Sequence, residues 1–169
     1  MTVWPTYGAR LPLWEAVYHQ DAQAVQKLLG SKEGADQVNV PHGLWQMTSV
    51  HLAVQKKNAK ILKYLLFVNA DANMRNINGT TPLHIAVELK RKDLIQDLLL
   101  VGANPLLRNY TGKNAIEMAA DRGMKEMVLA QRQQADSLPF QRLVREKQRQ
   151  EQAQQQQHQQ QQKQQQPVH

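Results

Sequence analysis

Cysteine is absent from this chain of 169 residues, which excludes a disulfide framework and any thiolate zinc site, and agrees with a reducing compartment. Catalytic signatures are missing too. There is no Gly-rich phosphate loop, no Gly-x-Ser-x-Gly elbow, no His-Glu-x-x-His helix and no thiol nucleophile, so the chain is read as non-catalytic and without a cofactor. Its six histidines are scattered and form no metal site. Long hydrophobic runs are lacking: the stretch from Ile61 to Val68 is interrupted by Lys63 and falls far short of the roughly 20 residues that span a bilayer. Met1-Thr2-Val3-Trp4-Pro5 has neither the basic start nor the apolar run of a signal peptide, so a cytoplasmic, membrane-free protein is expected. The net charge of +7 is spread thinly, +3 over residues 131–169 and +4 over the rest. Neither part is concentrated enough for a nucleic-acid site, and the charge implies only a mild preference for acidic partners.

What the chain does contain is a pattern that returns every 33 residues. Between Asn76 and Arg108 stand Gly79, Thr81-Pro82-Leu83-His84, Ala86, the pairs Leu94-Ile95 and Leu98-Leu99, and Gly102-Ala103-Asn104-Pro105. Thr81 can cap a helix, and Pro82 fits the first helical position, where a missing N–H costs nothing. Leu83 and Ala86 share a face one turn apart, and Ala86 is small enough to admit a neighbouring helix. Leu94, Ile95, Leu98 and Leu99 give a second helix its apolar stripe, which Gly102 can end in the left-handed conformation. Helices this short cannot bury their stripes alone, so the pattern has to recur. One shift back places Thr48, Val50, His51 and Ala53, then Ile61-Leu62 and Leu65-Leu66. One shift forward places Gly112, Ile116, Ala119 and Met127-Val128. Upstream, Pro12-Leu13-Trp14-Glu15-Ala16 opens another copy, with four extra residues between Ser31 and Gly43.

These residues resemble the ankyrin repeat over residues 9 to about 133, in four units of which the middle two are clearest. The resemblance implies an all-α solenoid of stacked helix pairs with projecting turns, working by binding other proteins. The units are expected near residues 9–42, 43–75, 76–108 and 109–133 of a stack covering 1–133, with residues 1–10 as a lead-in folded over the first pair. Ser49, Gln46 and Asn69 replace the proline and two glycines of the pattern in the second unit, which should loosen its turn and helix end. In the fourth, Asn114-Ala115-Ile116-Glu117 and Gln131-Arg132 give the polar outer helix that closes a stack. A short C-terminal helix is expected over 134–147, restarted by Asp136-Ser137 and Leu138-Pro139. From Gln148 to Gln166, 14 of 19 residues are Gln, too polar to offset the entropy of ordering. Residues 148–169 are therefore read as a disordered tail.

Carried over position by position, the resemblance places the partner on turn tips and on the exposed side of each first helix. The turn residues are Tyr7 and Arg10, then His42, Leu44, Trp45 and Met47, then Arg75, Ile77, Asn78 and Thr80, then Arg108, Tyr110, Thr111 and Lys113. The helix residues are Tyr18, His19, Gln55, Lys56, Glu88, Leu89, Asp121 and Arg122. Leu44, Trp45, Met47, Ile77, Leu89 and Tyr110 form an apolar centre bordered by Lys56, Arg75, Arg108 and Lys113, with Asn78, Thr80 and Glu88 between them. Such a face suits a protein or peptide that presents apolar side chains beside acidic ones. Trp45 is either an anchor for that partner or a lid on the Ser31 to Gly43 loop, which is read as irregular. Lys56, Lys60 and Lys63 are read as one solvated helical face, and the acid pairs Asp93 with Asp97 and Glu117 with Asp121 as ordinary surface charge. His51 and His84 hold the family's structural histidine position. A monomer is expected, with the Gln-rich tail as a route to self-association. Two alternatives stay open: a nucleic-acid-associated regulator using the basic face and the tail, and a bacterial effector delivered into a host cell to act on a host protein.

Overall fold

The computed structural model describes residues 11–137, and side chains as far as residue 133. All nine helices among the described residues are short, and eight of them pair. These are α1 (Pro12–Tyr18) with α2 (Ala22–Leu29), α4 (Ser49–Gln55) with α5 (Ala59–Phe67), α6 (Pro82–Glu88) with α7 (Lys92–Leu100), and α8 (Ala115–Ala120) with α9 (Lys125–Ser137). The ninth, α3 (Lys32–Gln37), lies between the first two pairs. First helices pack on first helices, α1 on α4, α4 on α6 and α6 on α8, while α2, α5, α7 and α9 form the second layer.

Chemistry at the helix starts explains where each begins. Thr48 and Thr81 stand at the N-caps of α4 and α6 in capping boxes whose third helical residue is a histidine, His51 or His84, in the place usually given to Glu or Gln. In α8 the same box is made by Asn114 and Glu117. α2 and α5 are capped by Asp21 and Asn58. The apolar stripes then close on one another. Val17, Val25, Val50, Ile61, Leu62, Leu65, Leu83, Leu94, Ile95, Leu98 and Val128 are wholly buried in one continuous core, and Leu66 and Leu99 are buried with them.

Three expectations are corrected. The segment 31–43 is not irregular throughout, because Ser31 caps α3 by accepting from the Gly34 amide (3.2 Å). α3 then serves the first pair: Gln37 Oε1 accepts from the Leu13 amide (3.1 Å), satisfying a helix start whose cap residue, Leu11, has no side-chain acceptor. Gly34 permits this, since a Cβ there would sit 2.1 Å from the Leu28 carbonyl oxygen. Second, Gln46 and Asn69 do not change the backbone shape of their turn and helix end. They take φ of 49° and 60°, the left-handed backbone of Gly79 and Gly102 one unit later, so the substitution costs energy and leaves the shape alone. Third, α9 runs unbroken past Gln133 to Ser137, so no break separates the last helix of the stack from residues 134–137. The lead-in at 1–10, the rest of the helix expected at 134–147, and the tail at 148–169 lie outside the described residues.

The links between paired helices repeat in the same way, Gln20, Lys57 and Lys90 at φ of 59°, 58° and 54° preceding Gly123 at 70°. Replacing exposed Lys90 by Gly should therefore raise stability by about 0.5–1 kcal/mol. In the core, Leu98→Ala should cost about 2–5 kcal/mol, a large part of a domain's usual 5–15 or so. Urea unfolding followed by circular dichroism measures both.

Candidate functional site

The turns before α4, α6 and α8 are small hydrogen-bonded hairpins. Asn76 Oδ1 accepts from the amides of Asn78 (2.9 Å) and Thr80 (3.0 Å), and Asn109 Oδ1 does the same for Thr111 (3.1 Å) and Lys113 (3.0 Å). In the second unit, where Gly43 stands in place of that asparagine, His42 and Met47 exchange two backbone hydrogen bonds, each 3.0 Å. Turns are also joined to one another: the Ile77 amide donates to the Trp45 carbonyl and the Tyr110 amide to the Asn78 carbonyl, both at 3.0 Å. Three successive tips are thus tied into a row that displays apolar groups to solvent, Leu44 at 69% exposure, Trp45 at 59%, Ile77 at 46% and Tyr110 at 73%. The Tyr110 ring crosses the tip before it, and a Cβ on Gly79 would fall 2.8 Å from its edge. Gly79 answers both that approach and a φ of 70°.

Below the row, the two histidines fasten one unit to the next. His51 Nδ1 accepts from the Thr48 amide (3.2 Å) and lies 2.8 Å from the Thr48 hydroxyl, while Nε2 is 3.0 Å from the Thr80 carbonyl of the following unit. His84 repeats this with Thr81 (3.2 and 2.8 Å) and with the Lys113 carbonyl (3.2 Å). A carbonyl can only accept and an amide can only donate, so each ring is the neutral tautomer with its proton on Nε2. Burial agrees, pushing His51 down to about 4 against the hydrogen bond to Thr80, and His84 in the same direction. No group of three or more His, Cys, Asp or Glu able to hold a metal ion occurs among the described residues.

Several residues expected on the binding face stand elsewhere or are already occupied. Met47 is buried at 8% exposure, because its backbone closes the hairpin and turns the side chain inward. Lys56, at the C-cap of α4, does not share a helical face with Lys60 and Lys63, which belong to α5. Its Nζ sits 4.1 Å over the Tyr18 ring, a cation–π contact. Arg108 grips Glu117 through both nitrogens of its fork (3.0 and 2.8 Å) and also donates to the Gly112 carbonyl. Lys113 pairs with Asp121 at 2.7 Å. The Asn114 amide and Arg108 hold Glu117 below its ordinary pKa, and Lys113 does the same for Asp121. The other acid pair also divides: Arg91 pairs with Asp93 and lowers it, whereas partial burial raises Asp97, which lies 3.7 Å from Lys63. Arg75, Asn78 and Glu88 are exposed, and Thr80 and Leu89 are half-buried.

An aromatic cluster at the first unit went unread in the sequence. Trp14 stacks on Tyr18 at 5.5 Å and meets His42 at 4.7 Å. The spacing of Trp14 and Tyr18, four apart on one helix, was its signal. Trp14 occupies the histidine position of the pattern, and its buried Nε1 has no hydrogen-bond partner among the described residues. On the second-helix layer, Gln26, Leu29, Gly30, Lys63, Tyr64, Phe67 and Val68 line a groove of about 500 Å³, apart from the turn row.

A family model described as ankyrin repeats, in three copies, matches residues 13–109 and again 50–130. The chain belongs to the ankyrin-repeat family. Ankyrin repeats are generally protein–protein interaction modules and typically non-catalytic. No curated protein matches the chain. Among the described residues, no helix of this ankyrin-repeat protein is long and apolar enough to cross a membrane.

The buried histidines generate a pH dependence with a definite sign. Between pH 6.5 and about 4 the unfolded chain binds a proton at His51 that the folded chain refuses. Stability is therefore full above that window and falls as pH drops through it. At ~1.4 kcal/mol per pH unit, the loss approaches about 3 kcal/mol for His51, and His84 adds to it. Denaturant midpoints at pH 7 and 4.5 measure it; equal midpoints would contradict the buried neutral rings.

Proposed function

We infer that the tied row of turn tips is the binding face of a non-catalytic adaptor or scaffold, acting as a monomer in the cytoplasm through a stack that ends near residue 133. Its partner is a protein or peptide with apolar groups beside acidic ones. The observation that carries this reading is the alignment of Leu44, Trp45, Ile77 and Tyr110, all exposed and all borne on turns joined by backbone hydrogen bonds. Holding such groups out in water is costly for a free protein, and a rigid platform loses little entropy when a partner covers them. Trp and Tyr are also the side chains that most often dominate an interface. Trp45, exposed at the tip, fits an anchor better than a lid over segment 31–43. With Arg108, Lys113 and Lys56 engaged, only Arg75 of the expected basic border stays open for a polyanion, which favours a protein partner over nucleic acid.

Truncation of an anchoring Trp typically costs binding about 2 kcal/mol or more. Quantitative affinity capture from source-cell lysate should therefore find partners that the full chain retains, that Trp45→Ala loses at least about tenfold, and that Phe67→Ala on the other layer keeps. Melting of Trp45→Ala should match the parent; a large fall would move Trp45 into the structural core.

A further inference from the structure

The 33-residue register reveals which charges the protein satisfies for itself and which it leaves open. Arg75 and Arg108 hold the same place at the foot of successive turns. Arg108 is closed by the two carboxylate oxygens of Glu117, at 3.0 and 2.8 Å. One unit earlier the position of Glu117 is taken by His84, whose Nδ1 serves Thr81 and whose Nε2 donates to the Lys113 carbonyl. That ring has no acceptor left for a guanidinium. Arg75 is exposed and has no ion-pair partner among the described residues. The same shift operates at the far end of the helix, where Lys113 meets Asp121 at 2.7 Å. One unit earlier these positions are Thr80 and Glu88, and the exposed Glu88 is without a cation among the described residues. The third unit therefore presents an open guanidinium at its turn and an open carboxylate at the end of α6, between tips that carry Trp45 and Tyr110.

We propose that Arg75 and Glu88 set the specificity of the binding face: the partner is a peptide segment that brings a carboxylate to Arg75 and a Lys or Arg to Glu88, beside an apolar side chain. This rests on the turn row being the binding face. The fork of Arg108 on Glu117 displays, within the same chain, the two-point contact that a carboxylate makes with a guanidinium at this place. Opposite signs at the two ends give the bound segment one orientation and disfavour the reversed one.

The test pans the full chain against a random displayed-peptide library, in parallel with Arg75→Glu, Glu88→Lys and Trp45→Ala. Both charge positions are exposed, so circular dichroism and melting should be unchanged. The parent should enrich peptides with an acidic and a basic residue flanking an apolar one. Arg75→Glu should bind those peptides at least about tenfold more weakly and select a Lys or Arg in place of the acid. Glu88→Lys should exchange the basic residue for an acidic one. Unchanged selection by either swap overturns the proposal, even if the peptides still need Trp45. A library yielding no peptide that depends on Trp45 overturns the turn row as the binding face, and the charge assignment with it.

Discussion

Everything in this protein depends on neighbouring helix pairs covering each other's apolar flanks. A pair such as α6 and α7 exposes Leu83, Ala86, Val87 and the stripe from Leu94 to Leu99 until the pairs on both sides are in place, and only then are these residues wholly or nearly wholly buried. A repeat that cannot bury its apolar face alone depends on its neighbours for stability. The histidines add direction to a force that has none. Each takes a hydrogen from its own cap and gives one to the carbonyl of the next unit, which sets successive turns in one register. Apolar burial supplies the energy and this relay fixes the alignment.

That alignment creates a surface. The backbone bonds from Ile77 to Trp45 and from Tyr110 to Asn78 hold the tips at constant spacing, so whatever the sequence places there is displayed as a row. The exposed tip side chains contribute little to the core, whereas Thr81 and His84 are buried and Gly79 has no room for a side chain. Charge obeys the same division: the fourth unit pairs Arg108 with Glu117 and Lys113 with Asp121.

Much of the fold is legible in the sequence because the repeat is a physical necessity written four times. The caps at Thr48 and Thr81, the buried pairs at 61–62, 65–66, 94–95 and 98–99, and the structural histidines all come from one register. Other features escape it because they are settled between elements. α3 forms where four extra residues sit, and its use becomes visible only when Gln37 is seen to reach the Leu13 amide. Met47 looks like a tip residue by position, yet hairpin closure turns it inward. Gln46 and Asn69 read as weak points, but the surrounding bonds impose on them the backbone that glycine takes elsewhere. Ion pairs such as Arg108 with Glu117 span nine residues, and no local rule distinguishes them from the open Arg75. Of the proposed binding face, the apolar tips could be read from sequence, and the state of the charges around them could not.

Hydrogen exchange of the full chain, with and without a bound partner, tests the central claim most directly. Binding at the row should slow exchange at the amides of residues 42–47, 75–80 and 108–113 together, while those of α5 near Phe67 stay at the rate of the free protein. Protection confined to the second-helix layer, with the three turns unchanged, would contradict the account.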